Sequence, residues 1–387
     1  MTVLRLRATS ETVLAVCGEL GLVVRLERST ADGRRHWHVG RPSSAGTLEL
    51  TETPDGVELR VAANRDGGWA TATARQLAEG LGDRNLLKRR RAGVFLAALA
   101  TALVAAPFTT AGPRLPEAQP VDAISGLLAQ FETHPVVAVG EIHGWPREHD
   151  FLRALIRDPR FGATVNDIVV EFGNQRYQSL VDRYVLDGER IPYKRVRQAW
   201  TMTTQRPTGV WDVPIYQQFY VAVRNHNLTL PREQRVRLVL GDSPIDWRQI
   251  KRWTCDRPRL DCFDYWLGRR DVDFAAAVER EVLAKGHRAL VIAGGFHVIR
   301  GPFTDGDNVT AAVEREHPRS VFVALPYNSW AQDSPERREI ESWPTPSLAV
   351  VSGTWLGVLD ASVAVAERLV GVRLDALTDG YLYLGRW

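Results

Sequence analysis

The chain has 387 residues but only three cysteines, and its net charge is only +3. Cys17 stands alone, so the thiols leave room for one bridge. That bridge would join Cys255 to Cys262 in TCDRPRLDCF, a loop-like stretch containing Pro258. A charge this small gives no argument for nucleic acid, and none is expected as a partner. The basic residues are mostly Arg, scattered among acids, with no basic stripe interleaved with aromatics. There is no internal repeat, which excludes solenoid and propeller arrays, and no long low-complexity tract. A G-x-S-x-G elbow, an H-E-x-x-H pair, a P-loop and a G-x-G-x-x-G turn are all missing.

What is present is ordinary in amount and uneven in arrangement. Apolar residues make up 44% and charged residues 25%, as in a globular protein long enough for two or three domains. The twelve Trp are spread from Trp37 to Trp387 and read as packing residues with no single shared role. Residues 1–83 read as a small α+β unit of unassigned role. SETVLAVCGELGL has helical spacing with Ser10 as N-cap, and HWHVG, TLELTE and VELRVAA alternate as strands do. Thr71 to Leu81 returns to a helical pattern that ends at Gly82. His36 and His38 fall on one side of a strand. They read as a metal pair or, more plainly, as the exposed edge of a small sheet.

Residues 84–118 differ in kind. Lys88, Arg89, Arg90 and Arg91 precede the uncharged run AGVFLAALATALVAAPF, and TTAGPRLPEAQP follows. Three readings compete. The run is a membrane span through residues 92–108, with the basic residues holding the N-terminal unit in the cytoplasm. It is a secretory signal behind a misassigned start. Or it is a buried soluble helix. The first two place residues 119–387 outside the cytoplasm, at the cell membrane or secreted, where Cys255 and Cys262 would form a disulfide.

From about Val121 onward, short runs rich in Val, Leu and Ile alternate with helical stretches. PVVAVGE, DIVVEF, VRLVLGD, RALVIAGG, SVFVALP and GYLYLG read as strands, and VDFAAAVEREVLAKG as an amphipathic helix closed by Gly286. This predicts an α/β domain over residues 119–387, a mainly parallel sheet covered by helices on both faces. In such sheets ligands sit beyond the C-terminal strand ends. The polar residues gather there. Glu141 and His143 follow the first run, Glu171 the second, Asp242 and Asp246 the third, and His297 the fourth. Asp379 lies near the start of the last strand. Each has a plain structural reading alone: a helix N-terminal acid, a turn residue, a hydrogen-bonded His. Their matching positions predict one shared cleft. Arg147, Glu148 and His149 open the first helix, and His149, six residues past His143, is expected to do less than His143. Gly294 and Gly295 give a tight turn whose N–H groups would face a ligand, as in an oxyanion hole.

These residues resemble a known superfamily, the one joining erythromycin esterases, ChaN-like haem-binding lipoproteins and TraB/Tiki proteins. Gly140, Glu141 and His143 match its Gly-Glu-x-His motif. VVEFGN at 169–174 is similar to its second acidic strand end, and VIAGGFHVIRGP at 291–302 to its late Gly-x-x-His segment. The likeness covers roughly residues 120–387. Tyr193 to Trp211 has no counterpart in it, and the first motif departs from the esterases by one residue.

The resemblance implies a small-molecule substrate or ligand and leaves several activities open. As a hydrolase of an ester or amide, His143 would activate water, with Glu141 or Glu171 orienting it. His297 would stabilise the oxyanion or protonate the leaving group. Arg147 would bind an anionic part of the substrate, with Asp242, Gly294 and Gly295 as further binding residues. A metal variant makes Glu141, His143, Glu171 and His297 a two-His, two-carboxylate set for Zn or Mn. As a haem binder, His143 or His297 would be axial against an apolar wall. A fourth reading is an inactive scaffold serving a partner.

Overall fold

In the computed structural model the described residues are 2–6, 9–19, 22–29, 34–40, 48–54, 56–61, 73–74, 77, 115–255, 257–301, 307–328, 334–366, 369 and 371–386. They divide into two compact units, 1–110 and 111–387.

The first unit holds a five-stranded antiparallel sheet: β1 (Thr2–Leu6), β2 (Val23–Ser29), β3 (Arg35–Gly40), β4 (Leu48–Thr53) and β5 (Gly56–Val61), in the order β1-β5-β4-β3-β2. Helix α1 (Ser10–Glu19) belongs to the same unit. One side of the sheet buries Trp37, Val39, Leu48, Leu50, Leu59 and Val61 with Val13 and Cys17 of the helix. Burial pushes the Cys17 thiol up to about 11. β3 is an interior strand, paired on both sides, so His36 and His38 do not form a sheet edge as expected. His36 is buried, with Nδ1 2.8 Å from the Thr51 hydroxyl. The helical expectation for Thr71–Leu81 falls mostly outside the described residues.

No helix among the described residues is long and apolar enough to cross a membrane, so the membrane assignment loses its support. Residues 92–108, on which it rested, lie outside the described residues.

The second unit is built on an eight-stranded sheet. Its strands are β6 (Val121–Asp122), β7 (Val136–Glu141), β8 (Asp167–Asn174), β9 (Arg237–Asp242), β10 (Ala289–Gly294), β11 (Val321–Pro326), β12 (Ser347–Val350) and β13 (Gly380–Tyr383). The order is β6-β12-β13-β11-β7-β10-β8-β9. Every pairing from β13 to β9 is parallel, and β12 runs antiparallel to β13 and β6.

Alternation along each strand sends side chains to two covered faces. Val137, Val139, Ile168, Val170, Leu290 and Ile292 pack under α2 (Ala123–Gln130), α3 (Pro146–Arg157), α4 (Gln178–Val185) and α5 (Pro214–Leu228). Val136, Ala138, Val169, Val239, Val291 and Ala293 pack under α6 (Arg270–Glu281) and α7 (Val309–Glu316). Because both faces are buried, the strands read as continuous apolar runs. Burying each Val or Ile this way contributes roughly 1.5–3 kcal/mol.

Beyond β9 the chain forms a strap that Cys255 and Cys262 close with a disulfide, their Cα atoms 6.2 Å apart. Closing so short a loop is expected to add about 2 kcal/mol. Urea melts with and without reductant should differ by that amount, with two thiols appearing only in the reduced sample.

Candidate functional site

Register places the site. β7 and β10 are neighbours with Gly140 opposite Ala293 and Glu141 opposite Gly294, and β10 pairs with β8 as far as Ile292 opposite Val170. The C-terminal ends of these three central strands therefore deliver Glu141, Glu171 and Gly294 to one edge.

Glu141 is buried and holds three partners. Its Oε1 accepts from the Tyr216 hydroxyl at 2.8 Å and lies 2.7 Å from His149 Nε2. Its Oε2 lies 3.3 Å from His143 Nδ1. A carboxylate only accepts, so both imidazoles donate to it. The His143 Nε2 is then the nitrogen left for a ligand, on a side chain 37% exposed. Burial alone would raise the Glu141 carboxyl, but hydrogen bonds and charge from His143 and His149 hold it below its usual value. Burial would lower His143, yet Glu141 and the charge of Glu171 raise it above 6.5.

The turn that carries His143 is fixed from beneath. Gly144 takes φ +75°, and its N–H donates to the Tyr216 hydroxyl at 3.0 Å. Glu148, in the first turn of α3, reaches back to accept the Ile142 N–H at 2.8 Å. Burial, with Glu141 nearby, raises the Glu148 carboxyl well above its ordinary range. The crowd of ionisable groups after β7 is thus a carboxylate–imidazole pair at the mouth and a buried acid that braces the loop. Trp211 closes the side of the His143 ring, edge to face at 4.6 Å between centroids.

A second cluster faces the first. His297 Nδ1 bonds Asp271, and Nε2 lies 3.3 Å from Glu171 Oε1. Burial would lower the ring, but Glu171 and Asp271 push it up to about 10, so it is an imidazolium at neutral pH. Arg270 lies 3.0 Å from the same Nε2 and 3.8 Å from Glu171. A protonated Nε2 cannot accept from it, so Arg270 acts here as a charge against Glu171. Burial would raise Glu171, but His297, His143 and Arg270 hold it far below the carboxylate range. Its Oε2 accepts the Gly294 N–H at 2.8 Å.

Between the clusters lies a cavity of about 270 Å³. Glu141, His143, Gly294, Gly295 and His297 line it, with an apolar wall of Phe296, Leu325, Pro326 and Val365.

Several expected roles are corrected by this geometry. The metal set of Glu141, His143, Glu171 and His297 is not one: among the described residues no group of three or more His, Cys, Asp or Glu is arranged to hold a metal ion. The Glu141 oxygens already serve Tyr216 and two imidazoles. Arg270 supplies the cation beside Glu171. Gly294 offers no N–H to an oxyanion, because Glu171 takes it. Arg147 points to the chain's end, donating to the Leu384 carbonyl at 3.3 Å, and does not line the cavity. Asp242 is buried and accepts from the Thr204 N–H at 2.7 Å and hydroxyl at 2.5 Å, also off the cavity. Asp246 and Asp379 pair with Arg176 and Arg300 respectively. His149 belongs to the Glu141 cluster.

Residues missed from sequence are Tyr216, Trp211, Arg270 and Asp271. The Tyr193–Trp211 stretch brings Trp211 to His143 and Thr204 to Asp242.

Two expectations follow. A Cβ on Gly294 would lie 2.7 Å from His143 Cε1 and 3.4 Å from Glu171 Oε2. Gly294→Ala should therefore push the His143 ring off Glu141. An NMR titration should show the His143 pKa dropping toward 6.5 while the melting temperature stays close to wild type.

Burial raises Asp242 from 3.8 to about 7. The unfolded chain releases this proton first as pH rises, so this group's contribution to stability falls between pH ~4 and ~7 and is flat above. Asp242→Asn should remove that slope, which urea melts across this range would read as a variant that gains on wild type with rising pH.

No known family's sequence profile matches the chain, and no curated protein matches it. Among solved structures it is similar to a succinoglycan biosynthesis protein at 11% identity and TM-score 0.43, over 70% of this chain and 94% of that one. ChaN of Campylobacter jejuni, described with cofacial haem binding, matches at 11% identity and TM-score 0.32, over 54% and 87%. A bacterial protein toxin matches at 14% identity and TM-score 0.32, over 54% of this chain and 37% of that one. At these scores none carries an argument about ligand or activity. Nothing found places the chain with erythromycin esterases or Tiki proteins. The fold and site define a class: an α/β domain with a ligand-sized cleft at the C-terminal edge of its parallel strands.

Proposed function

We propose that residues 119–387 form a small-molecule site in which His143, held by Glu141, acts as a metal-free general base. The reaction class is attack of water on an ester or amide carbonyl. The observation that supports this reading is the Glu141–His143 pair: a buried carboxylate holds Nδ1 and leaves Nε2 at the cavity. Such a pair takes a proton from water and stabilises the imidazolium that results. The facing His297 imidazolium supplies positive charge toward the developing oxyanion. We place this domain outside the cytoplasm, a reading the Cys255–Cys262 bridge favours.

The test is turnover of a panel of chromogenic esters and amides in the presence of a chelator. Turnover by wild type supports the reading; no turnover of any member counts against it.

Haem binding is the second reading. The apolar wall of Phe296, Leu325 and Val365 beside His143 favours it. A Soret band in the purified or haem-titrated protein, lost in His143→Ala, would support haem over hydrolysis.

A further inference from the structure

The strap after β9 has surface features that the reading above does not use. Backbone bonds tie Lys251 and Arg252 to the Asp261 carbonyl, Phe263 to Arg252 and Asp264 to Trp253, and the disulfide closes the loop. This strap holds Trp253 60% exposed. Trp253 packs against Trp247 and Phe263, with centroids 6.4 and 5.0 Å away. The Trp247 indole N–H donates to the Thr203 carbonyl at 3.0 Å, and the Arg206 guanidinium stands 5.0 Å from the Trp247 ring centroid. Between these rings and cations lies a groove of about 410 Å³, lined by Arg206, Trp247, Lys251, Arg252 and Trp253. Among the described residues, none of Arg206, Lys251 and Arg252 forms an ion pair with a carboxylate.

We propose that this groove binds a small anion carried on a ring. The ring lies on the exposed Trp253 indole, and Arg206, Lys251 and Arg252 hold the anionic group. Each half of the feature excludes a simpler ligand. A bare anion has no use for the exposed Trp253 indole, and an apolar ligand has no use for the three cations. A polynucleotide needs a longer basic track than the scattered arginines of this chain provide. A ring-bearing anion matches both halves, since aromatic faces stack rings and guanidinium groups bind carboxylate or phosphate. The cross-linked strap presents the site already formed, which reduces the ordering cost of binding. Two sources share this chemistry, acidic sugars and nucleotides.

Calorimetric titration of the full chain tests it with four probes: adenosine 5′-monophosphate, trigalacturonate, inorganic phosphate and neutral maltotriose. At least one ring-bearing anion should bind with Kd below ~1 mM and at least ~10-fold more tightly than phosphate or maltotriose. Trp253→Ala and Lys251→Gln, both at exposed positions, should each weaken that binding ~10-fold with the melting temperature unchanged. Binding of the nucleotide alone identifies nucleotides as the source, and binding of trigalacturonate alone identifies acidic sugars. If neither ring-bearing anion binds more tightly than phosphate, or if both variants bind as wild type does, the proposal is overturned.

Discussion

His143→Gln is expected to lower turnover of any ester or amide the wild type hydrolyses by at least ~10², the usual weight of a general base. The fold should survive, because the His143 side chain stands at the cavity mouth and Glu141 keeps Tyr216 and His149 as donors. Gln retains a donor toward Glu141 but has no basic nitrogen for water. The loss should therefore appear in kcat, with KM little changed. His149→Gln is a useful contrast. Its ring is buried among Phe172, Tyr216 and Phe219, so its loss should first appear as lower stability. Steady-state kinetics beside thermal melts for both variants separate the two roles. Equal kcat for wild type and His143→Gln would remove His143 from the chemistry.

Glu171→Gln is expected to cost stability and change the site's charge together. The carboxylate faces His297, Arg270 and His143, and its removal takes away the acid that His297 and Arg270 share. Breaking a buried pair from one side costs about 3–5 kcal/mol. The His297 pKa should fall from about 10 toward its ordinary value, with Asp271 as its remaining support. The amide oxygen can still accept the Gly294 N–H, so the strand end should keep its shape. NMR of the His297 ring protons reads the pKa, and urea melts read the stability. An unchanged His297 titration would show that Glu171 does not hold its charge.

The sheet was legible because its strands are buried on both faces. VVAVG, IVV, LVLG, LVIAG and VFVAL have no polar side to confuse them with surface strands. β12 is not legible, since SLAV is only four residues long and runs antiparallel to its neighbours, nor is β2, whose VVRLERS carries three charged residues. Glu141, His143, Glu171 and His297 could be found from sequence because each follows an apolar run, and parallel pairing brings the ends of those runs together. Their partners could not. Tyr216 reaches Glu141 from 75 positions away, and Arg270 reaches His297 from 27. His149 depends on the rotation of α3 about its axis, which places a residue six past His143 back against Glu141. Arg147, Asp242 and Gly294 show the opposite error. Their chemistry suited a ligand, but the fold had already assigned their hydrogen bonds.

The pH–rate profile of chelator-treated wild type tests the central claim most directly. His143 must be neutral to accept a proton, and its pKa is raised, so the rate should climb with pH through a value above 6.5. His297 must keep its proton, so the rate should fall again near pH 10. A bell with these two limbs, its lower limb absent in His143→Gln, is the predicted result. A profile that is flat across this range, or activity that appears only on adding a metal ion, would contradict the account.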